Sequence, residues 1–131
     1  MTRDVATQLM FEGAAEEAMN FYVSLFKGSA VQRLERYGPG EQGKEGSVRR
    51  AAFTLGGHHL SCIDSSIHHG FTFTPSISLF VECDDEAELD GAFQKLSAGG
   101  AVLMPLGDYG FSKKFGWVQD RFGVSWQLNL P

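Results

Sequence analysis

The histidines of this chain fall in two adjacent pairs, His58–His59 and His68–His69, and the first pair runs directly into Ser61, Cys62 and Asp64. An imidazole titrates near neutral pH and serves readily as a general base, and a neighbouring serine and aspartate raise the question of a nucleophilic triad. The spacing argues against one. Ser61, His59 and Asp64 lie along a single strand-like run, with no Gly-x-Ser-x-Gly elbow to expose the hydroxyl. Adjacent residues on a strand point to opposite sides, so His58 and His59 cannot hold one metal ion between them. His59 is therefore the candidate general base, while His68 and His69 read as solvated linker residues. A second motif, Gly38-Pro39-Gly40-Glu41-Gln42-Gly43-Lys44-Glu45, matches a phosphate loop until its last position. There Glu45 replaces the hydroxyl that would bind Mg²⁺, Glu41 adds like charge beside the phosphates, and a strand follows where a helix is required. It is a hairpin loop. Cys62 and Cys83 show no CxxC spacing and read as reduced core thiols.

These residues belong to a chain of 131 residues, the usual size of one domain. Eleven Lys and Arg against 16 Asp and Glu give a net charge of -5, which disfavours a nucleic-acid backbone as partner. No apolar stretch approaches the length of a membrane-spanning helix, and Met1-Thr-Arg-Asp-Val leads into no secretory signal, so the expected location is cytoplasmic. Sixteen glycines exceed the ordinary share of about 7% and predict many turns.

Periodicity supplies the elements that must position the candidate residues. Val5 to Phe11 reads as a strand, and Ala14 to Phe26 as a helix with Ala18, Phe21, Tyr22 and Leu25 on one face. Ala30 to Tyr37, Val48 to Leu55 and His59 to Asp64 read as three further strands. The order then repeats: strand Ile77 to Cys83, a helix opened by Asp84-Asp85-Glu86 and closed by Gly99-Gly100, and strands at Val102 to Met104, Phe115 to Gln119 and Val124 to Leu130. Arg36-Tyr37-Gly38 overlays Asp108-Tyr109-Gly110, and Ala6 to Phe11 overlays Ser76 to Val81, at offsets of about 66 to 72 residues. The chain is read as an α+β protein of two tandem βαβββ modules, about 5–66 and 75–131, within one domain.

The segments Leu9-Met10-Phe11-Glu12-Gly13, Glu16-Glu17-Ala18-Met19-Asn20-Phe21-Tyr22, Arg36-Tyr37-Gly38-Pro39-Gly40 and Gly116-Trp117-Val118-Gln119-Asp120-Arg121-Phe122-Gly123-Val124-Ser125-Trp126-Gln127 carry a resemblance. Together they resemble the PhnB-like branch of the vicinal oxygen chelate superfamily, which includes glyoxalase I, extradiol dioxygenases and bleomycin-resistance proteins. The resemblance implies two curved sheets around a shared cavity, a homodimer, and, in metal-dependent members, four ligands, two from each module. Matched by strand position, those four places fall on Ala6, Ser61, Ser76 and Gln127, with Gln8 in the first place if the register of that strand slips. Alanine has no donor and neutral serine ligates transition metals poorly, so no metal and no other cofactor is expected. Related sequences also carry a ubiquinone methyltransferase label. A doubly wound nucleotide-binding domain with a glycine-rich turn after a parallel strand is not legible here.

Strand alternation places Leu9, Phe11, Leu60, Cys62, Ile77, Leu79, Val81, Val124, Trp126 and Leu128 against the helices. It sends Gln8, Met10, His59, Ser61, Ser76, Ser78, Phe80, Ser125, Gln127 and Asn129 to the cavity side, with Tyr109, Phe111 and Trp117 as further aromatic surface. Neutral donors and acceptors among apolar walls suit a small organic ligand. The leading expectation is a metal-independent small-molecule-binding protein. Its alternatives are an isomerase, lyase or related enzyme acting on a small oxygenated metabolite through His59, and a sequestration protein of the bleomycin-resistance type.

Overall fold

A computed structural model describes residues 1–131, which divide into two compact units, Met1–His69 and Gly70–Pro131. The first contains β1 (Thr7–Phe11), α1 (Ala15–Val23), β2 (Ala30–Arg36), β3 (Val48–Leu55) and β4 (His58–Asp64). The second contains β5 (Leu79–Glu82), α2 (Glu86–Ser97), β6 (Ala101–Gly107), β7 (Lys114–Gln119) and β8 (Ser125–Leu130). Each unit is thus a βαβββ module, and the α+β class and internal duplication read from the sequence hold. No helix is long and apolar enough to cross a membrane.

In the first unit the four strands are ordered β1-β4-β3-β2, with β1 parallel to β4 and the other pairs antiparallel. Leu9 and Phe11 on β1, Leu60 and Cys62 on β4, and Ala51 and Phe53 on β3 are buried together with Ala15, Ala18, Met19 and Tyr22 of α1. This is the alternation that the sequence shows, converted into one apolar face under one helix. Asp64 ends β4 as a buried carboxylate that accepts from the Gly13 and Ala15 N–H groups at 2.8 and 3.0 Å and from Val48 N–H at 2.9 Å. It thereby satisfies amides at the start of α1, which has no side-chain cap of its own, and anchors the start of β3.

The second unit repeats the order as β5-β8-β7-β6, with β5 parallel to β8. Here α2 is capped locally: Asp85 accepts from Glu88 N–H at 2.8 Å, while the Glu88 side chain reaches back to Asp84 N–H at 3.0 Å. Leu89, Ala92, Phe93 and Leu96 bury against Val118, Trp126 and Leu128. Gly116 lies on that packed face of β7, where a β-carbon would collide with Phe93 and Leu106.

The elements differ from expectation at two places that matter to the site. Residues 5 and 6 precede β1, so Ala6 is off the strand. The strand expected from Ile77 to Cys83 is confined to Leu79–Glu82, and Ile77, expected under the helix, is 73% exposed in a turn. The cause is local: Thr74, Pro75 and Ser76 form a turn in which Thr74 and Ser76 hydroxyls pair at 2.7 Å and Ile77 N–H bonds Thr74 C=O.

Candidate functional site

The register of each sheet arranges the face away from its helix in rows. In the first unit one row runs Gln8, Ser61, Ala52, Arg33 across all four strands, and the next contains His59, Thr54 and Ala30. Met10 and Ile63 pair in the row on the other side. Ser61 Oγ donates to Gln8 Oε1 at 3.0 Å, so these two expected site residues do meet. In the ladder, Gln8 and not Ala6 is the residue beside Ser61.

His59 is exposed on that face, and no carboxylate or hydroxyl holds its ring. His58, on the opposite side, bonds Thr7 Oγ1 through Nε2 at 2.9 Å. Asp64 is buried toward α1 and fully engaged by backbone amides, so the three residues that raised the triad question share no geometry. His68 stays exposed, as expected of a linker residue, while His69 is half-buried, and both pair with neighbouring residues. His68 Nδ1 lies 2.9 Å from Glu12 Oε1, His69 N–H donates to Glu12 Oε2 at 3.1 Å, and His69 Nε2 lies 2.8 Å from Ser65 Oγ. The hydrogen bond from His68 comes first among the causes that hold the Glu12 carboxyl below its ordinary range. These contacts tie the end of the first unit to its β1–α1 turn.

In the second unit, the row Glu82, Asn129, Phe115, Gly107 is followed by Phe80, Gln127, Trp117, Met104. Ser125 pairs with Gln119 in the next. A continuous hydrogen-bond chain runs through this face: Trp117 Nε1–H donates to Ser125 Oγ at 2.8 Å, Ser125 and Ser78 hydroxyls share a 2.6 Å bond, and Gln127 Nε2–H donates to Ser78 Oγ at 3.4 Å. Four side chains from three segments therefore hold one another in place, with the Gln127 carboxamide half-buried at the end. Around them stand Phe80, Phe111, Tyr109 and Phe115, in edge, stacked or tilted contact with centroids 5.1 to 6.4 Å apart. Tyr109 turns its hydroxyl to the Pro105 carbonyl at 2.6 Å.

Of the residues expected at the site, Ser78, Phe80, Gln127, Asn129 and Tyr109 come together in this unit, and Gln8, Met10, Ser61 and His59 share one face of the other. Ser76 does not join either group; it bonds Thr74 in the turn before β5. Sequence reading missed Glu82, which stands beside Asn129, and the hydrogen bond that makes Ser125 the hub of the chain. Alternation alone put Glu82 on the face of Phe80, but nothing local marked it as more than a surface acid.

The donor set can be tested against a metal. No group of three or more His, Cys, Asp or Glu side chains is placed to hold an ion. At the paired strand positions stand the two amides of Gln8 and Gln127, the hydroxyl of Ser61 and the ring of Phe80, with Gln8 Oε1 already accepting from Ser61. Such neutral oxygens do not fit a transition ion, which wants imidazole, carboxylate or thiolate. Both thiols are far from supplying one: burial pushes Cys62 and Cys83 up to about 12.

Residues 3–129 match a family model described as 3-demethylubiquinone-9 3-methyltransferase. No significant match was found among curated proteins. Among solved structures, a Bacillus cereus protein titled a putative 3-demethylubiquinone-9 3-methyltransferase, PhnB protein, is 56% identical, with 98% of this chain and all of that one covered and a TM-score of 0.95. A Pseudomonas aeruginosa protein is 26% identical, with 98% of each chain covered and a TM-score of 0.84. The same fold, at 10% identity and a TM-score of 0.63 over 100% of this chain and 94% of the other, occurs in the fosfomycin resistance protein of Listeria monocytogenes, solved with Mn(II) and a dihydroxypropylphosphonic acid.

Proposed function

The chain belongs to the PhnB-like family of the glyoxalase/bleomycin resistance/dioxygenase superfamily, and from that premise we propose that it binds a small organic molecule on the sheet faces away from its helices. In this reading it does so in the cytoplasm, as a homodimer and without the divalent ion seen in the Listeria relative.

The observation that carries the proposal is the chain Trp117–Ser125–Ser78–Gln127. A polar group on a mostly apolar face is costly unless paired, and these groups pair with one another, leaving the Gln127 Oε1 acceptor for an outside donor. Aromatic rings beside a few directional polar groups are the usual composition of a small-ligand site.

Binding is favoured over turnover because the groups in the chain are neutral, and acid–base catalysis needs a titratable group held at the reacting atom. His59 is titratable, but nothing orients its ring. Methyl transfer, which the family description names, finds no support in the residues: the turn between β1 and α1 is Glu12-Gly13-Ala14, and no glycine-rich loop leads from a parallel strand into either helix.

The test is native mass spectrometry of the purified protein. One retained small molecule per chain, lost when Gln127→Ala and Ser78→Ala are combined, is the expected result. A ligand whose retention ignores both substitutions would overturn the reading.

A further inference from the structure

The row Glu82–Asn129–Phe115 has an electrostatic feature that the hydrogen-bond chain beside it lacks. Both Glu82 carboxylate oxygens face the Asn129 Nδ2 group, at 3.3 and 3.2 Å, and no lysine or arginine pairs with that carboxylate. The nearest cation in β7, Lys114, is turned to the other side of the sheet, where it bonds Glu86 at 3.1 Å and Asp90 at 2.8 Å. The other charges close in sequence, Asp84, Asp85, Glu86 and Glu88, are also negative. The fields of Glu88, Glu82 and Asp84 act together on Cys83, although burial is the largest cause of the raised thiol.

Asn129 supplies an independent sign of a missing partner. It is 7% exposed, and its Oδ1 is a buried acceptor that receives no hydrogen bond. Buried carbonyl oxygens of this kind are nearly always paired, and leaving one unpaired is unfavourable. The amide cannot simply be turned over, because that would set its oxygen against the carboxylate. Next to this pair are π-faces. Phe80, two residues before Glu82 on the same side of β5, is 55% exposed and lies 6.4 Å from Phe115. Phe111, 63% exposed, packs 5.1 Å from the same ring.

An uncompensated carboxylate, an unpaired amide oxygen and exposed aromatic faces are complementary to one chemical class. We propose that the second unit binds a protonated organic amine, its ammonium on Glu82 and Asn129 Oδ1 and its carbon frame against Phe80 and Phe111. Both acceptors take N–H donors, and the rings attract the cation by their quadrupoles. Because Asn129 Oδ1 is buried in the free chain, amine binding requires a neighbouring side chain to move. The inference rests on the reading that this sheet face is the ligand site, and it adds the ligand's charge.

Three probes of one shape separate the possibilities: 2-phenylethylammonium, neutral 2-phenylethanol and anionic 3-phenylpropionate. Each is titrated into the ¹⁵N-labelled full chain, with the Asn129 and Trp117 side-chain N–H signals followed. The expected result is that the amine binds roughly tenfold tighter than the alcohol, that the acid binds most weakly, and that added salt narrows the gap. Glu82→Gln removes the preference while leaving the alcohol's affinity in place. Equal binding of amine and alcohol, or a preference that survives Glu82→Gln, overturns the amine assignment alone. If no probe moves either signal at millimolar concentration, the placement of the ligand site on this face falls with it.

Discussion

Trp126 donates its indole N–H to Asp120 Oδ2 at 3.0 Å, and that buried bond ties β8 to the β7–β8 turn. The other oxygen of Asp120 accepts from Phe122 and Val124 N–H groups at 2.9 and 3.0 Å, so one carboxylate organises the turn in which Gly123 takes a left-handed φ of 95°. With Trp126 locked under α2, Ser125, Gln127 and Asn129 have no choice but the opposite face. The orientation of the candidate site therefore depends on a contact on the other side of the sheet.

Trp126→Ala should cost about 3 to 5 kcal/mol through the cavity it leaves, and Trp126→Phe about 1 to 3 kcal/mol through the orphaned Asp120 oxygen. Chemical denaturation of both variants measures this. A wild-type midpoint for the alanine variant would contradict the face assignment of β8.

Gln127→Ala and Ser78→Ala should each weaken a bound ligand several-fold, about 0.5 to 1.5 kcal/mol per hydrogen bond, with little change in melting temperature. Isothermal titration with the molecule recovered by mass spectrometry checks it. His59→Ala should change affinity only modestly. A loss of turnover on the order of 10²-fold with unchanged affinity would instead identify His59 as a general base.

Purified without a metal-binding tag, the protein should carry no stoichiometric transition metal, because its amides and hydroxyls are poor donors for one. About one equivalent of Mn, Fe, Ni or Zn by elemental analysis, lost on Gln127→Ala, would refute this.

Native Cys62 and Cys83 should resist alkylation at pH 8. Burial disfavours the thiolate and pushes both up to about 12, so the reactive form is scarce until the protein unfolds. Labelling followed by mass spectrometry in buffer and in denaturant should give none in the first and two in the second; rapid native labelling would show that the strands open locally.

Light scattering at micromolar concentration should give twice the chain mass of 14.4 kDa. Edge strand β6 exposes Val102 and Leu103, apolar surface suited to a partner copy. A mass of one chain would exclude the dimer.

How much of this was legible beforehand follows from the range of each signal. Period-2 alternation is a property of one strand, and it alone separated Leu9 and Phe11 from Gln8 and Met10, and Trp126 and Leu128 from Gln127 and Asn129. Helix spacing, the Asp85 cap and the repeated element order were equally local, which is why the two βαβββ modules could be read from the chain. Cross-strand partnership is different. Which residue of β1 stands beside Ser61 depends on a hydrogen-bond ladder between segments far apart in sequence, and only the folded ladder placed Gln8 there instead of Ala6. The turn at Thr74–Ser76 took Ser76 off β5 by a side-chain hydrogen bond that the alternating pattern does not register. The contacts of Ser78 with Ser125 and of Glu82 with Asn129 join residues 47 positions apart. Sequence determined the face of each side chain wherever a strand formed, though not at Ser76 and Ile77, where a turn replaced it; tertiary structure decided the neighbours, because face is set by the local pleat and neighbourhood by the register between strands.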